Sequence, residues 1–97
     1  MAAIPILIEE FPGEAAWQRF VDVFRSGWIE VADKPAWLAA TGDEEIAIVL
    51  SVSMGEKALT WLDRPVGALD KLAPQTVLDT VPAGVTAVKS LLMRMPL

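Results

Sequence analysis

Apolar residues along this chain recur mostly at helical spacing. Trp17, Phe20, Val21 and Phe24 fall at i, i+3, i+4 and i+7, the pattern of one buried helix face. Ser26-Gly27 punctuates the end of that pattern. Asp33 followed by Pro35 supplies a cap and first turn for a short helix through Ala40. Thr41-Gly42-Asp43-Glu44 has the T-x-x-E spacing of a capping box, after which Ile46, Val49, Leu50 and Ser53 share a face. Ser53-Met54-Gly55-Glu56 repeats the capping pattern. The helix is therefore predicted to break near Ser53 and restart through Leu62, with Ala58, Leu59, Trp61 and Leu62 inward. Asp63-Arg64-Pro65 stops it, because the residue before proline avoids helical backbone. Pro74 opens a single turn through Leu78. Asp79 or Thr80 is the expected cap of a last helix. Its stripe is Val81, Val85, Val88, Leu92 and Met95, with Gly84 and Ala87 beside it to admit a close neighbour.

Two stretches read as extended. Ile4-Pro5-Ile6-Leu7-Ile8 leans toward strand, although Pro5 restricts it to an edge or an arm. Trp28-Ile29-Glu30-Val31 is a second brief one. The expected fold is a mostly α, small helical domain of four to six short helices, with room for a minor β pair near the amino terminus.

Composition removes whole classes of chemistry. The 97 residues make one domain, and with 54% hydrophobic residues the chain can bury a core. There is no His and no Cys, which takes away most nucleophile–base pairs, nearly all zinc sites and every disulfide. No constellation of the remaining carboxylates, Lys, Arg, Ser or Thr stands out as catalytic, so no enzyme, cofactor or metal is expected. Met1 to Ile8 is apolar but has no basic residue before it, and Ile46 to Leu50 is far too short to span a bilayer. A cytoplasmic, soluble protein without a membrane partner is expected.

Charge divides the chain. The net charge is −5; residues 1–50 carry nine acids against three bases, and residues 51–97 four acids against five bases. DNA binding is disfavoured, since the one candidate helix, around Arg19 and Arg25, also carries Glu14 and Asp22. The reading is one folded unit with two parts. Residues 1–50 are an acidic helical segment suited to dimerisation or a family-specific role. Residues 51–97 are a near-neutral helical region.

That second part carries a resemblance. Gly55-Glu56 is followed by a helix ending in Trp61-Leu62, then Pro65, Ala68-Leu69 and Ala73-Pro74 through Leu78. Thr80, Ala83-Gly84, Leu91-Leu92 and Arg94-Met95 complete the series. Residues 54–95 thereby resemble the toxin-binding domain of the Xre/MbcA/ParS antitoxin family. Ala73 stands where Ser is usual, and Pro82 is an addition to the turn. Residues 1–50 lack the helix-turn-helix signature that many members carry. The resemblance implies an antitoxin that occludes a cognate RES-type toxin, an enzyme that consumes NAD or transfers ADP-ribose. It implies partner contacts at Trp61, Arg64, Met93, Arg94, Met95, Pro96 and Leu97, with the end of the last helix reaching toward the toxin's site.

Each of these residues also has a plainer reading. Trp61-Leu62 suits a core anchor at a helix end. Arg94 is favoured at a helix carboxy terminus in any case, and Asp43-Glu44-Glu45 at an amino terminus. Gly84 suits close helix packing. Part of the last helix, with Met93 and Met95, suits burial against a partner or a second copy. A homo-oligomeric interaction domain and a DNA-binding autoregulator are the alternatives to toxin occlusion.

Overall fold

A computed structural model describes residues 2–95. They form eight α-helices and one 3₁₀ turn: α1 (Ile4–Glu9), α2 (Glu14–Asp22), α3 (Arg25–Trp28), α4 (Lys34–Thr41), α5 (Glu44–Met54), α6 (Lys57–Leu62), the 3₁₀ turn (Gly67–Leu69), α7 (Pro74–Thr80) and α8 (Gly84–Arg94). The domain is mostly α, as the periodicity predicts. It is built from more and shorter pieces.

The centre is α5. Ile46 through Ser51 are all buried, so this helix is apolar on every side and is surrounded by protein. Helices α2, α3, α4 and α6 pack around it. Helix α8 packs against α1, α7 and α2, and brings Ala87, Val88, Leu91 and Leu92 into the same core. Trp17 and Val21 of α2 are fully buried there, as the i, i+4 spacing predicts, while Phe20 and Phe24 are half-buried at its margin.

The expected β pair near the amino terminus is not formed. Residues 4–9 are helical, with Pro5 in the first turn, where its missing N–H costs nothing, and with Ile4 and Leu7 buried at i, i+3. The free amides of that first turn are satisfied from far away in sequence. Ala3 N and Ile4 N donate to Asp70 Oδ1 and Oδ2 at 2.5 and 3.0 Å. Among the described residues the one β contact is an isolated antiparallel bridge between Val66 and Leu72.

The second extended stretch is also absent. Trp28 ends α3, and turns from Gly27 O to Glu30 N and from Trp28 O to Val31 N follow it. Gly27 lies inside α3 rather than ending a helix. A Cβ there would stand 2.7 Å from Val52 Cγ1, so its lack of a side chain lets α3 approach α5.

Three caps differ from expectation. Asp33 stands at the start of α4, but its side chain makes no capping bond and its backbone is left-handed at φ 58°. Asp43, not Thr41, caps α5, with its side chain accepting from Ile46 N at 3.0 Å. Thr41 Oγ1 instead donates back to Trp37 O at 2.9 Å. At the far end α5 continues through Met54 and stops at Gly55, whose φ of 64° suits glycine. Helix α8 begins at Gly84, not at Val81. Pro82 holds Val81 extended, and Ala83 then turns left-handed at φ 57° before the helix can start.

Candidate functional site

Helix α6 and the turn after it carry an open groove. Arg64 N donates to Trp61 O at 3.2 Å, so the chain keeps curling past Leu62 and Arg64 stays beside Trp61. Lys57, Thr60, Trp61 and Arg64 thus fall at i, i+3, i+4 and i+7 on one side. With Met54 from α5 they line a groove of about 390 Å³. Trp61 packs partly against the core and partly lines this groove. Ala58 and Leu62, on the opposite side of α6, are buried as the sequence predicts. Leu59, expected inward, is 40% exposed.

The groove has a definite chemical character. Met54 and the Trp61 indole give it an apolar floor. Lys57 and Arg64 are exposed cations, and no acidic residue lines it. Glu56, adjacent in sequence, lines a different, smaller depression with Trp37 and Ser51.

The sequence-predicted contacts do not form one patch. Trp61 and Arg64 share the groove. Met93 and Met95 are half-buried against the core at the end of α8 and do not line it. Arg94 Nη2 donates to Glu10 Oε2 at 2.9 Å, which ties the end of α8 to the end of α1. Pro96 and Leu97 lie outside the described residues. Lys57, Thr60 and Met54 were not among the expected contacts. The signal for Lys57 was its i, i+4, i+7 spacing with Trp61 and Arg64.

A second polar cluster binds α2, α5 and α8 together. Trp17 Nε1 donates to Glu45 Oε1 at 2.9 Å, and Gln18 Nε2 donates to Glu45 Oε2. Lys89 Nζ, whose side chain is only 10% exposed, lies 3.2 Å from Glu14 Oε1, 3.8 Å from Glu45 Oε1 and 5.3 Å from the centre of the Trp17 ring. Arg25 approaches Glu45 from the other side at 3.5 Å and holds Asp22 at 2.6 Å. Burial is the largest single influence on Glu45 and opposes its charge. The hydrogen bonds from Gln18 and Trp17, with the charges of Lys89 and Arg25, outweigh it and hold the carboxyl below its ordinary value of 4.5. All of these partners are accounted for within the fold, so the cluster is a clamp between helices.

Among the described residues no three acidic side chains are grouped to hold a metal, and no helix is long and apolar enough to cross a membrane. Arg25, half of the basic pair weighed for DNA, is engaged by Asp22, Gln18 and Glu45. No family model, curated protein or solved structure matches the chain.

Proposed function

We propose that this protein is an antitoxin that binds and occludes a cognate RES-type toxin, one that consumes NAD or transfers ADP-ribose. The reading rests on the resemblance over residues 54–95. One observation supports it above the others: Trp61 and Arg64, two residues the resemblance marks as contacts, lie together in an open groove beside cationic Lys57. A half-buried Trp next to an Arg is the kind of pair that anchors protein interfaces. The protein covers another protein's site and does no chemistry of its own. Met93, Arg94 and Met95 form a second contact region at the end of α8; the resemblance also implies Pro96 and Leu97 as contacts.

Co-expression and pull-down with the product of the adjacent gene test this reading. Capture of that product, with relief of its toxicity, is expected. Deleting residues 94–97 is expected to abolish protection; full protection by the shortened chain would remove the α8 end from the contact.

Self-association is a second reading, favoured by Val23 and Ile29. They flank α3 and are 71% and 78% exposed. A dimer by light scattering, reduced to monomer by Val23→Ser with Ile29→Ser, is the expected result; a monomer at every concentration would contradict it.

A further inference from the structure

The groove on α6 also specifies the chemistry of what it receives. Lys57 and Arg64 stand on either side of Trp61, both exposed. Among the described residues every ion pair uses other cations, namely Arg25, Lys89 and Arg94. Lys34, also outside those pairs, donates to the carbonyls of Ile29 and Val31; Arg19 and Lys71 lie outside the pairs too, but neither lines this groove. Lys57 and Arg64 are therefore free cations on a protein of net charge −5, gathered around one apolar floor with no acid lining it.

We infer that this groove docks an acidic, apolar segment of the partner protein, with an aliphatic or aromatic side chain laid on Trp61 and Met54 and flanking carboxylates held by Lys57 and Arg64. The inference rests on the antitoxin reading for the identity of the partner, and on the groove alone for its chemistry. Guanidinium pairs well with a carboxylate, and an indole with a flanking cation takes an apolar side chain whose neighbours are acidic. A small metabolite is a poorer occupant. Sites for small ligands enclose most of the ligand's surface, whereas one side of α6 and its following turn, with Met54 of α5, leaves this groove open. A segment lying across the surface suits that shape. Local positive charge on an acidic body also favours one orientation of docking, with the acidic segment over Lys57 and Arg64.

The test uses the full chain labelled with ¹⁵N and titrated with the capped tetrapeptide acetyl-Leu-Glu-Phe-Glu-amide. Its neutral counterpart, with Gln in place of each Glu, is the control. Shifts are expected at the Trp61 indole and at the amides of Lys57, Thr60 and Arg64, with the acidic peptide only, and weakening as salt is raised. The double variant Lys57→Met with Arg64→Met changes two exposed positions and is expected to keep its thermal midpoint. It should bind the acidic peptide roughly tenfold more weakly. Equal shifts with both peptides, shifts confined to other helices, or no shifts would overturn the inference. The same shifts produced by inorganic phosphate at equal concentration would overturn it too, since they would need no apolar side chain. The peptide does not involve the toxin. A groove that binds it in a protein that fails to protect cells would count against the antitoxin reading alone.

Discussion

The indole N–H of Trp17 donates to Glu45 Oε1 at 2.9 Å, although the two residues are far apart in sequence and on different helices. That bond sits inside the clamp of Gln18, Arg25, Glu14 and Lys89. Removing the carboxylate leaves a fully buried indole donor and a nearly buried Lys89 short of a partner. Glu45→Ala should therefore lower stability by about 1–3 kcal/mol. Urea unfolding measures this, and an unchanged midpoint would refute the role of the clamp.

The same carboxyl gives a pH dependence. Its folded value lies below its ordinary value, so the folded state holds the ionised form more tightly than the unfolded chain does. The stabilisation is complete above the ordinary value of 4.5 and is lost as pH falls through the lower, folded value. Asp70 titrates in the same direction, because Ala3 N and Ile4 N donate to its carboxylate. Wild type should lose stability on acidification more steeply than Glu45→Gln, with the two curves converging at low pH. Parallel curves would contradict the assignment.

Asp70 fastens the amino-terminal helix. Its carboxylate satisfies two amides at the start of α1, and its backbone takes the left-handed turn at φ 55° to place it there. Asp70→Ala should speed hydrogen exchange in α1 and leave the protection of α5 amides in place. Uniform loss of protection across the chain would show that α1 is not a separable element.

Gly84 is fixed by a neighbour's backbone. A Cβ there would lie 2.0 Å from Val77 O, closer than atoms can approach, and a carbonyl within α7 cannot rotate aside. Gly84→Ala should cost about 1–3 kcal/mol by forcing α7 and α8 apart. Retained stability would mean that α8 can slide freely.

How far the sequence discloses this fold depends on where each element's partners lie. Trp17 with Val21 and the stop at Pro65 are local patterns, and they read correctly. The single face of Ile46, Val49, Leu50 and Ser53 understates α5, because Ala47 and Ile48 are buried too and Ser53 is only half-buried. The start of α1 does not, because its amides are satisfied by Asp70, 67 residues on from Ala3. Without those bonds, Ile4, Ile6 and Ile8 look like one face of a strand. Gly27 misleads for a similar reason. Its small size answers to Val52 of α5, not to the end of a helix. For the groove, Trp61 and Arg64 come from the resemblance, whereas Lys57 emerges only when the chain is seen to curl on past Leu62 and bring all three residues together.

Growth rescue is the most direct test of occlusion through Trp61 and Arg64. Cells expressing the product of the adjacent gene are supplied with this protein or with its Trp61→Ala, Arg64→Ala variant, whose folding is checked by circular dichroism. Wild type is predicted to restore growth, and the folded variant to fail. Rescue by the variant as complete as by wild type, or no rescue by wild type, would contradict occlusion through this groove.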